Sequence, residues 1–304
     1  MLHDVLQHIA KPGPEYRGAP FWAWNAKLEP EELRRQIRLF KDMGLGGFFM
    51  HSRVGLNTPY LSEEWFDCIR ACIDEAKRQH MNAWLYDEDR WPSGAAGGLV
   101  TRDPQFRQRY LSLTLATTLP EQTSPDTIAT FAAHLDGVTA SGIRRFRPGQ
   151  DTLADGETLL IFEDKATTPS SWFNDQTYLD TMNPKAVAKF IETTHEAYKR
   201  HIAADFGKTV PGIFTDEPNY YHGGGQFIRP WTTALPAEFS RLNGYDLIDH
   251  LPELFFRPDG QTCSKTRLDY YNTATTLYVN AFSRLYGEWC ERNQIGRASC
   301  RERV

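Results

Sequence analysis

Short apolar runs alternate with amphipathic segments along the first third of the chain. APFWAWN (19–25), GGFFMHS (46–52) and NAWLYDED (82–89) read as strands. Between them PEELRRQIRLFKDMG (30–44) places Leu33, Ile37 and Phe40 on one helical face, with Glu31 and Glu32 in the first turn and Gly44 as the stop. SEEWFDCIRACIDEAKRQ (62–79) starts at Ser62 as N-cap and carries Trp65, Ile69, Cys72 and Ala76 along one stripe. Strands that are apolar on both faces and separated by helices predict a parallel sheet covered on both sides.

From about 110 to 165 the rhythm changes. LSLTLATTL, TIATFAAHL and TLLIFED, broken by Asp136-Gly137 and Pro148-Gly149, read as an antiparallel β-rich insertion after strand three. The earlier rhythm returns in a helix over 183–202 whose core face is Val187, Phe190, Ile191, Thr194, Ala197 and Tyr198. TVPGIFTDE supplies a fourth strand, and a loop rich in glycine and aromatic residues (219–232) follows. A long helix then runs from about Lys265 to Arg292, with a predicted seam of Leu268, Tyr271, Thr275, Tyr278, Phe282, Leu285 and Trp289. Four βα units predict the first half of a (β/α)8 TIM-type barrel: 1–110 as its first part, 111–179 as the insert and 180–294 as its continuation.

The last ten residues, IGRASCRERV (295–304), follow abruptly on that helix without apolar periodicity. Their codons resemble a sequencing-adapter oligonucleotide read in one frame. We therefore expect native sequence to end at Asn293 or Gln294 and the gene to continue. A half barrel would then leave the edge of strand four open, predicting poor folding or aggregation.

Thirteen Tyr, 18 Phe and 8 Trp suit a carbohydrate site, where flat sugar faces lie on rings, and suit a large core equally. The net charge of −5 argues against nucleic-acid binding by bulk electrostatics. No apolar run approaches the roughly 18 residues of a membrane span, and the N-terminus has no secretory pattern. The five cysteines have neither the spacing nor the number of a zinc site or disulfide framework, so the expectation is reduced, buried thiols in a cytoplasmic protein. Oligomeric state is not legible.

All four strands end in polar or ionisable residues: Asn25 on the first, His51 and Arg53 on the second, Asp87, Glu88 and Asp89 on the third, Asp216 and Glu217 on the fourth. In a parallel barrel these ends share the face where active sites are built. Glu217, between Phe214 and Tyr220 and beside a second carboxylate, is expected to be desolvated and raised in pKa, as a general acid needs. Capping of a following helix by Asp216 and Glu217 is the plainer alternative. In YDEDRWPSGAAGG (86–98), Trp91 is a candidate stacking platform and the acids candidate acceptors for sugar hydroxyls. The same acids are candidate calcium ligands, and a plain glycine-rich connection is the third reading. SGAAGG matches no phosphate-loop pattern. His222 is read as a solvated loop residue or a lid contact.

PFWAWN, PEELRRQIRLFKDMGLGGFFMHSRVGL, TPYLSEEWFDCIRACIDEAK, AWLYDEDRWPSGAAGG and GIFTDEPNY, in that order, resemble glycoside hydrolases of family 106, the α-L-rhamnosidase type. The resemblance implies a catalytic (β/α)8 barrel with β-rich insertions, an inverting mechanism on terminal rhamnose, calcium dependence, and Glu217 at the acid position. TDEP also resembles the NEP motif at the end of strand four in many retaining glycosidases. Family members are much longer, and their later strands supply the second carboxylate, so the 304 residues alone are expected to be inactive. The alternative reading is a carbohydrate-binding barrel without catalysis.

Overall fold

The computed structural model describes residues 12–118, 124–220, 225–258 and 264–299, with Ile9 and Thr262. The chain opens with β1 (Phe21–Trp24), α1 (Pro30–Asp42), β2 (Gly47–Ser52), α2 (Glu63–Gln79) and β3 (Asn82–Tyr86). It continues through β4 (Arg109–Ala116), β5 (Thr127–Asp136), β6 (Thr139–Arg145) and β7 (Thr158–Ala166). After them come α3 (Pro184–Thr193), α4 (His195–Ile202), β8 (Gly212–Thr215), β9 (Ile228–Trp231), α5 (Leu235–Asn243) and β10 (Arg257–Pro258). The last elements are α6 (Lys265–Tyr278), α7 (Arg284–Arg292) and β11 (Gly296–Ser299).

The protein is mixed α/β. Strands β1, β2, β3, β8 and β11 form one parallel sheet in that order. The local signals act as expected. Ser62 caps α2 by accepting the Trp65 N–H (3.2 Å), and the α2 stripe Trp65, Ile69, Cys72 and Ala76 is buried. Trp22 and Trp24 enter the core from one face of β1, each packed edge-on to further rings. All four residues of β8 are buried, as a strand covered on both faces requires. Cys68, Cys72 and Cys290 are buried free thiols, and no described helix is long and apolar enough to cross a membrane.

The second sheet has the order β10-β6-β5-β7-β4-β9, antiparallel except for the β10–β6 pair. Strands β4 to β7 come from the expected insertion, with Gly137 at φ +54° in the β5–β6 turn. Its outer strands β9 and β10 arrive from beyond residue 180. One apolar core runs through both sheets, holding Trp24 and Phe48 together with Leu111, Phe131 and Phe162.

Three expectations are corrected. The 183–202 helix breaks at Thr194, whose hydroxyl bonds back to the Phe190 carbonyl (3.0 Å); such back-bonding bends a helix. The predicted core face survives intact on both pieces. The long last helix contains a π segment, Val279–Ser283, between α6 and α7. Its extra residue shifts the helical phase, so α6 buries Thr266, Tyr270, Thr273, Ala274 and Tyr278. Leu268, placed in the predicted seam, is 61% exposed. Finally, the edge of strand four is not open: β11, within the 295–304 segment, pairs in parallel with β8 from Gly296↔Gly212 to Ser299↔Thr215. Ladder bonds are made by backbone groups, so an open edge accepts an extended segment with no apolar pattern of its own.

Candidate functional site

The junction between β3 and β8 organises the strand ends. These strands pair through Leu85↔Ile213 and Tyr86↔Phe214. Just beyond, one buried side chain joins them. The Ser93 hydroxyl donates to Asp87 Oδ1 (2.5 Å) and accepts the Asp216 N–H (2.8 Å), while the Ser93 N–H donates to the Asp216 carbonyl (2.8 Å). Asp87 is fully buried, and burial pushes its carboxyl well above the ordinary range against the pull of that hydroxyl. On the β8 side, the Tyr86 hydroxyl donates to Asp216 Oδ2 (2.7 Å).

Glu88 points the other way. Its buried oxygens accept the N–H groups of Asp89 (2.9 Å), Gly94 (2.8 Å), Ala96 (2.8 Å) and Gly97 (2.5 Å). Burial lifts its pKa to about 7 against these four donors. The backbone N–H groups that a phosphate loop would offer to a ligand are spent here on an internal carboxylate. Asp89 is likewise occupied, accepting from Ser52 Oγ (3.0 Å), Arg90 Nε (3.1 Å) and Asn174 Nδ2 (3.1 Å). Of the three readings of 86–98, the acids therefore act in the loop's own construction. Gly98 shows how closely the loop is packed: at φ +83°, a Cβ there would lie 2.4 Å from the Phe173 carbonyl oxygen.

His51 is buried against Tyr86, with ring centroids 3.9 Å apart, and its Nε2 has no hydrogen-bond partner. Burial first, and the Arg53 charge second, lower its pKa to about 4, so the imidazole is neutral. Arg53 is half-buried and donates its backbone N–H to the Trp24 carbonyl (3.0 Å), which brings it beside exposed Asn25 at the ends of β1 and β2. His51, Tyr86 and Asp216 thus form one contiguous group, with Asn25 and Arg53 at its margin.

Glu217 departs from expectation in one respect. It is exposed rather than enclosed by rings, so the predicted desolvation falls on Asp87 and Glu88 instead. It stands at φ +45°, a left-handed conformation that a residue with a Cβ adopts at a cost. Among the described residues its carboxylate makes no hydrogen bond or ion pair. The turn that presents it is well held: the Pro218 carbonyl accepts from Tyr278 Oη (2.7 Å), and the Asn219 carbonyl accepts from Thr181 Oγ1 (2.7 Å). No helix begins at 216–220, which removes the helix-capping reading. Tyr220 turns toward α6, its hydroxyl 3.0 Å from Thr275 Oγ1. His222 lies outside the described residues.

Beside this turn is a cleft of about 450 Å³, with Trp91, Trp172, Phe173, Tyr178 and Asn219 in its walls. Trp91 is exposed in that wall. Its partner Trp172 was not singled out from sequence; PSSWFND carries no periodic pattern, and only an isolated pair of large rings in a polar stretch marks it.

For calcium, the donor set does not fit. Glu88 and Asp89 spend their oxygens on protein donors, and among the described residues no three His, Cys, Asp or Glu side chains converge as a metal site.

No family model matches the chain, and no curated protein does. Among solved structures it is similar to a rhamnosidase from Novosphingobium sp. PP1Y, with a TM-score of 0.62 and 13% identity over 96% of this chain. The chain spans 46% of that protein's length. At this identity the likeness is one of fold.

Proposed function

We propose that this chain is part of a glycoside hydrolase of the family 106 type, acting on terminal α-L-rhamnose-type glycosides with inversion, and that Glu217 is its general acid. The parallel sheet is read as part of a (β/α)8 barrel, which makes the strand ends its catalytic rim. One observation carries the assignment. Four of the five strand-end carboxylates, Asp87, Glu88, Asp89 and Asp216, are tied to neighbouring groups, whereas Glu217 is held out in a left-handed turn with its carboxylate uncommitted among the described residues. The fold likeness to a rhamnosidase supports the same reading.

In this mechanism Glu217 delivers its proton to the glycosidic oxygen as the C1–O bond breaks, and a second carboxylate removes a proton from the attacking water. That base stands about 6.5–9.5 Å across the ring in inverting enzymes, and we assign it outside these 304 residues. His51, Arg53 and Asn25 line the sugar side, with Tyr86 and Asp216 fixing the floor.

In the full-length enzyme, Glu217→Gln is expected to lower kcat about 10²–10⁴-fold on an alkyl α-L-rhamnoside, and much less on a 2,4-dinitrophenyl rhamnoside whose leaving group departs unprotonated. Equal losses on both substrates would exclude the acid role. The exposure of Glu217 favours one other reading, a binding protein without turnover. Calorimetric rhamnose binding with no hydrolysis of either glycoside would establish it.

A further inference from the structure

Trp91 and Trp172 form a corner. Their ring centroids are 5.7 Å apart at 64°, and 42% and 36% of the two residues stays in contact with solvent. The polar network beneath them fixes the corner in place. Trp172 Nε1 donates to the Trp91 carbonyl (2.7 Å), Arg90 Nη2 donates to Asn174 Oδ1 (2.9 Å), and Asn174 Nδ2 reaches the Gly97 carbonyl (2.9 Å). Two large rings held rigidly at the surface, at the mouth of a cleft of about 450 Å³, have the form of a small-molecule site.

The position of the cleft says which part of a substrate it meets. Asn219 lines it and donates through Nδ2 to the Glu217 carbonyl (3.0 Å), so the cleft adjoins the turn that presents the proton donor. A general acid faces the oxygen of the departing group, and the space on its outer side belongs to that group. Its chemistry says what the group is. The Tyr178 hydroxyl is already committed to the Ser93 carbonyl (2.8 Å), and the Asn219 amide to Glu217. Few polar atoms remain to meet sugar hydroxyls, while two indoles inclined at 64° offer one ring a face and an edge together.

Resting on the glycosidase reading, we propose that the Trp91–Trp172 corner is the leaving-group subsite and that it binds an aromatic aglycone.

Benzyl and ethyl α-L-rhamnosides release alcohols of similar acidity, so comparing them isolates the ring from the chemistry. In the full-length protein, Trp172→Ala should reduce kcat/KM for the benzyl glycoside about tenfold more than for the ethyl one. Trp172→Phe, which keeps a ring and loses the indole N–H, should restore most of that difference. Equal losses on both glycosides would make Trp172 a scaffold residue and overturn the proposal. A selective loss on a rhamnosyl disaccharide with none on the benzyl glycoside would also overturn it, in favour of a pyranose subsite. Calorimetry with free 2-naphthol separates this idea from the glycosidase reading, because no glycosidic bond is involved. Binding weakened about tenfold by Trp172→Ala supports the subsite even in a protein that hydrolyses nothing. No 2-naphthol binding by the wild-type protein refutes it.

Discussion

His195 carries no charge in the folded protein. It is fully buried among Phe190, Tyr286 and Trp289, with Nδ1 2.7 Å from the Thr194 hydroxyl, and burial lowers its pKa from 6.5 to about 3. The unfolded chain therefore binds a proton that the native state refuses. The stability His195 contributes is complete above about pH 6.5 and is lost as pH falls through that value toward 3. Glu88 and Asp180, both raised to about 7 by burial, act with the opposite sign between about pH 4 and 7, because the native state holds protons that the unfolded carboxyls release. The total pH profile mixes these effects, but a difference between variants does not. Urea midpoints of wild type and His195→Phe should diverge between pH 6.5 and 4, the wild type losing the more on acidification. Parallel curves would mean that His195 is protonated in place. At this scale the sequence showed which residues are ionisable at the strand ends but not what each one meets. Glu88 and Glu217 look alike in the sequence. Only the return of the 94–97 backbone onto one of them gives them different tasks.

The strands and the first two helices were legible because each has a strong local pattern: a stripe and the Gly44 stop for α1, the Ser62 cap and a stripe for α2, and an unbroken apolar run for β2, β3 and β8. Where one residue changes the phase, the pattern misleads. The π segment within 279–283 has no signature in residue types, and it moved the buried stripe of α6 off Leu268. The joint between β3 and β8 was equally silent, since it depends on one serine in a loop. Ser93→Ala removes the donor to Asp87, in buried surroundings, and the acceptor for the Asp216 N–H, which is partly buried. A loss of about 2–4 kcal/mol of stability is expected, measured by denaturant unfolding. Activity should fall further than stability alone explains, since the Glu217 turn begins at Asp216. A variant as active as wild type would show that the turn is positioned by Tyr278 and Thr181 alone.

At the scale of the whole molecule, the sequence conveyed the parallel order of the first strands and the antiparallel run that follows them, but not the reach of the second sheet. IRPW and RP are short and contain proline, a residue confined to outer strands because it lacks a ladder donor; both indeed lie at the sheet's edges. The parallel sheet makes a further prediction. A chain ending at Gln294 lacks β11 and bares the backbone of β8. It should self-associate at micromolar concentration, as sedimentation velocity would show, more than the 304-residue chain does. Equal monomer fractions would mean that β11 protects nothing. The second sheet also sets the terms on which this protein can be recombined. Because β9 and β10 reach it from chain that follows β8, residues 111–179 are not a cassette. A chimera that imports them from a relative must import 228–231 and 257–258 as well, three separate segments with six junctions, or leave two edges mismatched.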